Sequence, residues 1–272
     1  MSSKNILPES PGCNTSQIFK GALDEEIDAV LIIGANPAMR YPDGPFVDAA
    51  LDKLDFLVVA DLFETATTQK ADVVLPLAGW SEQEGSYVNL EGRYQKFYKA
   101  LPGPEGVKTG TEIIRDIAAA LGSPFEFDDT ILTSETREIL DTWKRQPRDT
   151  GKFYEAKSNS AVEHEGHPYR LLIGNDLHHF GYLTEHCISL MRFTPEPYLE
   201  ISPALADRLE IDEGSLVRVE SDSGKLVLKA KLSRFFEGEV LFVPNNFAAT
   251  EVNSLVTHEN GGWVKIEKLD DK

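Results

Sequence analysis

The sequence predicts an α/β three-layer unit, a parallel βαβαβ half-domain, followed by a small closed all-β barrel. Three observations predict it. Short, wholly apolar runs at Ala29–Ile33, Leu57–Ala60 and Val73–Leu75 alternate with helical patterns, the signature of parallel strands covered on both faces. Each run stops at residues suited to a ligand-facing loop: Gly34-Ala35-Asn36-Pro37, Asp61-Leu62-Phe63-Glu64-Thr65 and Pro76-Leu77-Ala78-Gly79-Trp80. From Pro168 the periodicity changes to short strands separated by turn residues.

Residues 1–20 read as an N-terminal arm, with Pro8, Pro11, Gly12 and Asn14 interrupting any regular pattern and a short helical turn over Ile18–Asp24. Residues 21–122 form the α/β unit. Apolar side chains at 46, 47, 50, 51 and 54 place a helix over Pro45–Leu54, and Thr65–Lys70 supplies one or two helical turns before the third strand. A parallel sheet of three strands leaves two open edges, so the unit is expected to be half of a larger sheet, completed by another chain or a second copy. Ser86–Asn89 and Tyr94–Tyr98 flank Glu91-Gly92 as a hairpin. A helix follows over Thr111–Leu121, capped by Thr109 or Thr111 and ended by Gly122, with apolar Ile113, Ile114, Ile117, Ala118 and Leu121 as one stripe.

Residues 123–167 are a connector with one helix, Ser134–Arg145, capped by Ser134, and then a polar stretch. Residues 168–268 form the barrel. Its strands are expected at Tyr169–Ile173, Tyr198–Ile201, Leu216–Glu220, Lys225–Leu232, Gly238–Pro244 and Trp263–Lys268, with a short helix over Pro203–Leu209 capped by Ser202.

Composition narrows the function classes. The 272 residues carry a net charge of −18, from 45 acidic and 27 basic side chains, which repels nucleic-acid phosphates and anionic membrane surfaces. No apolar run reaches the length of a membrane span, and the first residues lack the apolar core of a secretory signal. The two distant cysteines, Cys13 and Cys187, fit a reducing, cytoplasmic setting and cannot by themselves hold an iron–sulfur cluster.

No catalytic or metal-binding constellation stands out. His178 and His179 are read as strand neighbours pointing to opposite faces, so with His186 they do not make a closed coordination shell. Cys187 reads as a small packed residue. Glu82 and Glu84 read as loop charges or contacts to a neighbouring chain, and Trp80, Tyr87 and Trp263 as core or interface aromatics. GANP is not a dinucleotide fingerprint, and a tight turn explains Gly34 as well as a phosphate does.

In combination the motifs are more specific. The order GANP, ADLFETATTQKADVVLPLAGWSEQEGSYVNLEGRYQKF and TEIIRDIAAALG resembles the C-terminal part of the molybdopterin oxidoreductase family. The run from PYLEISP to VLFVP is similar to the dinucleotide-binding barrel that closes those chains, which implies a double-psi-like barrel. VNLEGRYQ, PEPYLEISP and GGWVKIEKL are most similar to the branch formed by the G-type iron–sulfur subunits of NADH:quinone oxidoreductases. The resemblance implies molybdopterin guanine dinucleotide as cofactor, with contacts from Gly34, Asn36, Asp61 and Thr65. In the barrel it implies Gly174, Asn175, His179, Thr184, Asn246, Asn253 and Lys265. The family's N-terminal iron–sulfur cysteines and the first half of its fold are absent from the sequence. The resemblance therefore implies a non-catalytic structural subunit of an NADH-dehydrogenase-like redox complex, docked on an iron–sulfur chain that supplies the other half of the fold and on other respiratory subunits. The alternative is the cofactor-binding half of a split enzyme whose site a partner chain completes; a stand-alone carrier of the pterin nucleotide is a third reading.

Overall fold

The structure is a computed structural model, and it describes residues 11–125, 129–145, 166–179, 181–235, 237–245, 247–248, 250–257 and 261–269. Helix α1 (Thr15–Leu23) opens it, where only a turn over Ile18–Asp24 was expected. Asn14 is the reason. Its side chain accepts from Gln17 N at 2.9 Å while its own N–H donates to Gln17 Oε1 at 2.8 Å, a reciprocal cap rather than a break. Phe19 and Ala22 of α1 are buried against α3 (Gly44–Lys53), which contributes Val47, Ala50 and Leu51. Between these helices lie β1 (Ala29–Ile33) and the four-residue α2 (Pro37–Arg40).

Strand β1 pairs in parallel with β2 (Phe56–Asp61), and β2 with β3 (Val73–Pro76), giving the order β1-β2-β3. Leu57 and Val59 face α1 and α3. A single 3₁₀ turn, Thr68–Lys70, stands in the β2–β3 crossover. The opposite face has little cover: Leu31, Phe56 and Val73 are 41%, 46% and 39% exposed. After β3 the chain leaves as a hairpin, β4 (Gly85–Val88) and β5 (Tyr94–Phe97), instead of a covering helix. Helix α4 (Gly110–Ala120) reaches only the C-terminal end of this face, where a Cβ on Gly110 would stand 3.4 Å from Ile33 Cγ2. Of the expected α4 stripe only Ile113 is buried, while Ile114 and Leu121 stand exposed. Trp80 and Tyr87 are likewise exposed, not core, and Tyr87 stacks on Phe97 with centroids 5.1 Å apart.

Thr109 caps α4. Its N–H and hydroxyl both donate to Glu112 Oε2, at 2.8 and 2.9 Å, and Glu112 N donates back to Thr109 Oγ1 at 3.2 Å. The same two donors hold the Glu112 carboxyl below its usual pKa. Thr109→Ala is expected to lower stability by about 1 kcal/mol, read from urea unfolding.

Helix α5 (Asp129–Arg145) begins five residues before the expected cap. Ser134 is mid-helix, its hydroxyl donating to the Ile131 carbonyl at 2.8 Å, a bond that a serine makes inside a helix as readily as at its end. The polar stretch after α5 lies outside the described residues.

The barrel strands are β6 (Tyr169–Gly174), β7 (Tyr198–Ile201), β8 (Leu216–Glu220), β9 (Lys225–Leu232), β10 (Val240–Pro244) and β11 (Trp263–Lys268). Helix α6 (Ile188–Met191) precedes β7 and α7 (Pro203–Arg208) follows it, with Ser202 as the cap of α7. The barrel closes in the order β10-β6-β11-β8-β9-β7. Pairs β6–β10 and β7–β9 are parallel, whereas β8–β9, β8–β11, β6–β11 and β7–β10 are antiparallel. Alternate side chains from these strands fill the interior, where Leu199, Ile201, Val217, Val219, Leu241, Val243 and Val264 are fully buried. Among the described residues no helix is long and apolar enough to cross a membrane.

Candidate functional site

The C-terminal ends of β1, β2 and β3 open toward the barrel, and Asp61 at the end of β2 is the centre of what they build. It is only 3% exposed. Its Oδ1 accepts from the Tyr182 hydroxyl and from Leu62 N, both at 2.7 Å, whereas Oδ2 is buried and has no hydrogen-bond partner among the described residues. Buried carboxylate oxygens are ordinarily satisfied, so this one calls for an explanation. Tyr182 reaches Asp61 from the barrel-side 3₁₀ turn Tyr182–His186. Burial, and then the bond to Asp61, push its phenol above the usual tyrosine range, with Arg40 opposing.

The neighbouring loops are braced by their own side chains. Asn36, buried after β1, accepts at Oδ1 from the Thr67 hydroxyl at 2.7 Å, and Ala38 N donates to Thr67 Oγ1 at 3.2 Å. Thr65 N donates to Thr68 Oγ1 at 2.7 Å, and Thr68 N donates to Thr65 Oγ1 at 3.2 Å. Gly34, with φ of +63°, makes the tight turn out of β1, and its N–H donates to the Ala60 carbonyl at 2.8 Å.

From the barrel, His179 is fully buried, and it sits in a turn closed by an Asp176–His179 bridge rather than in the strand expected for it and His178. The Thr184 hydroxyl lies against His179 Nδ1 and within 2.7 Å of the Gly181 carbonyl, which ties the His179 ring to the turn. Phe247 lies against the His179 ring with centroids 4.0 Å apart. Gly174 ends β6, where its carbonyl accepts from Asn245 N at 2.9 Å, and Asn175 beside it is exposed.

Among the described residues, two cavities lie where the units meet. The larger, about 420 Å³, is lined by Leu62, Phe63, Leu77, Trp80, His186 and Cys187 among others. The Phe63 and His186 rings stack at its rim, 3.7 Å between centroids. Cys187, expected to be packed, is half-buried on this wall. Glu82, read as a loop charge, lines the same cavity and accepts from Gly79 N at 2.9 Å. The smaller cavity, about 130 Å³, lies between Gly44 and Asp48 on one side and Glu251 and Asn253 on the other.

The structure therefore gathers Gly34, Asn36, Asp61 and Thr65 at the strand ends, with Thr184 two residues from the tyrosine that touches Asp61. Asn253 reaches the same region but spends its amide on backbone. Lys265 is not gathered in: half-exposed on β11, it pairs with Glu220 of β8 at 3.0 Å and lines neither cavity. Asn246 lies outside the described residues. Among those described, no group of three or more His, Cys, Asp or Glu side chains is arranged to hold a metal ion. Tyr182 is the participant that the sequence did not single out; its one signal is a hydroxyl that must find a partner once the ring is buried.

Two family profiles match the chain, molybdopterin oxidoreductase over residues 3–120 and the molydopterin dinucleotide binding domain over residues 173–265. The chain thus carries a molybdopterin oxidoreductase domain and a molydopterin dinucleotide binding domain. The first match takes in the sheet, the hairpin and α4, and the second takes in nearly the whole barrel, so the molybdopterin oxidoreductase profiles divide where the architecture does. A G-type NADH-quinone oxidoreductase subunit of Rhizobium meliloti is 31% identical over 92% of this chain and 31% of its own length. The F420-dependent formate dehydrogenase subunit alpha of Methanocaldococcus jannaschii is 30% identical over 90% of this chain and 42% of its own. The chain thus spans about a third of the curated relatives it matches. Acetylene hydratase from Pelobacter acetylenicus shares the fold, with a TM-score of 0.77 and 18% identity over 93% of this chain and 46% of that one.

Proposed function

We propose that this chain is the cofactor-binding portion of a molybdopterin oxidoreductase, forming one wall of a pterin-dinucleotide site between its strand-end loops and its barrel. The observation that carries the reading is the buried, unpartnered Oδ2 of Asp61. A carboxylate oxygen held out of water favours an N–H donor, and guanine and pterin rings both present a ring N–H beside an exocyclic amine. The residues present fit such a group: Asp61 would accept from the heterocycle, and Gly34 and Asn36 would bring backbone close to it. When bound, the cofactor supplies the redox-active metal; this chain orients the heterocycle and keeps water from it. In this reading residues 21–122 and 168–268 are the two halves of the wall and residues 123–167 join them. The parallel pairs within an otherwise antiparallel barrel support double-psi connectivity.

An iron–sulfur polypeptide segment completes the site from the opposite side. The apolar face bearing Leu31 and Phe56 supports the further reading that part of the chain's work is assembly, as in the structural, non-catalytic subunit of an NADH-dehydrogenase-like complex. One experiment separates the two. The native complex is purified, its molybdenum and tungsten are quantified, and its pterin is released and oxidised to the fluorescent form. About one pterin and one metal per chain is expected. A complex with neither overturns the cofactor reading and leaves the scaffold.

A further inference from the structure

We infer that Asn253 is a positioning residue that caps helix α2 from the barrel and sets the spacing between the two units, rather than a contact to a nucleotide. The inference rests on hydrogen bonds within the chain and stands whether or not a pterin is bound. Asn253 lies in the 3₁₀ turn Val252–Leu255, whose Val252 and Leu255 are buried in the barrel core. The turn is also seated by the Ser223 hydroxyl, which donates to the Ser254 carbonyl at 2.7 Å. From that rigid base the Asn253 amide Nδ2 donates to the Ala38 carbonyl at 2.9 Å and to the Tyr41 carbonyl at 3.1 Å. A carboxamide has two N–H donors, and both are used.

The acceptors are informative. Ala38 is the second residue of the four-residue α2 and Tyr41 its C-cap, so both carbonyls are among the last four of the helix, which lack intrahelical partners and need an outside donor. A second bond joins the same two units in the opposite sense: Asp43, in the left-handed region with φ of 71°, donates its N–H to the Val256 carbonyl at 2.7 Å. The approach is close enough that a Cβ on Gly44 would stand 2.9 Å from Asn253 Nδ2. At its other end α2 is tied to the loop after β2, through the Thr67 hydroxyl to Asn36 Oδ1 and Ala38 N to Thr67 Oγ1. Helix α2 is thus a strut, with the barrel holding its C-terminal end and the Thr65–Thr68 loop its N-terminal end.

Hydrogen exchange on the full chain tests this. In the wild type the Asp43 amide must be protected; exchange at the solvent rate there would overturn the inference without any variant. Asn253→Ala is expected to accelerate exchange across residues 38–46 by about ten- to hundredfold, the range for losing two hydrogen bonds, and to leave the β1–β2 ladder amides unchanged. Gly44→Ala, which displaces the same amide while keeping Asn253, is expected to act in the same direction. If Asn253→Ala folds with wild-type exchange over residues 38–46, and instead loses affinity for guanosine monophosphate used as probe, the residue is a ligand contact and the inference fails.

Discussion

Asp61→Asn is expected to leave the ligand-free chain at least as stable as the wild type while weakening pterin retention in the native complex about 10- to 100-fold. The two effects have one origin. Asparagine keeps an oxygen that accepts from Tyr182 and from Leu62 N, so the link from barrel to sheet survives. In place of Oδ2, which is buried without a partner, it puts a neutral amine. Burying a neutral polar group costs less than burying a charged one, so the ligand-free state does not suffer. Toward a heterocycle the change is from acceptor to donor, and a hydrogen bond to a charged group is worth about 1.5–3 kcal/mol. Urea unfolding reads the first effect, and the rate of pterin loss on dialysis reads the second. Unchanged retention together with lost stability would make the carboxylate a structural group alone.

Leu199→Ala is expected to destabilise the protein by about 2–5 kcal/mol, the range for removing a large aliphatic side chain from a packed core. Leu199 is fully buried in β7, which lies between β9 and β10 in the closed barrel. Urea unfolding followed by fluorescence and circular dichroism reads the change. Because Asn253 and Tyr182 tie the barrel to the sheet, the loss is expected to appear in the sheet's transition as well. A sheet that unfolds at its wild-type midpoint while the barrel melts early would show that these ties carry little energy.

What the sequence made legible follows from how local each signal is. Strands β1, β7, β8, β9 and β11 fall on the expected residues because their apolar runs or alternation are bounded by turn residues. Ser134 misled because a serine before an amphipathic stretch resembles a cap, and only the preceding turn decides whether it is one. Asn14 misled in the opposite sense: beside Pro11 and Gly12 it looked like a breaker, although Gln17 three residues on completes a cap. The α4 stripe is a true amphipathic face, but what lies against it is a tertiary matter that periodicity does not encode. At the site, Asp61 was legible from its place at a strand's end. Tyr182 was not, since its partner is 121 residues away in the chain. Asn253 was legible as a polar residue among apolar ones, while its backbone acceptors on α2 were not.

The exposed side of the sheet has a consequence for how much of this protein a cell can keep. A copy whose Leu31, Phe56 and Val73 meet no covering polypeptide presents a sticky, strand-edged surface of the kind that holdases and proteases engage. Surplus copies would be cleared while covered ones persist, so abundance would track the supply of whatever shields that side.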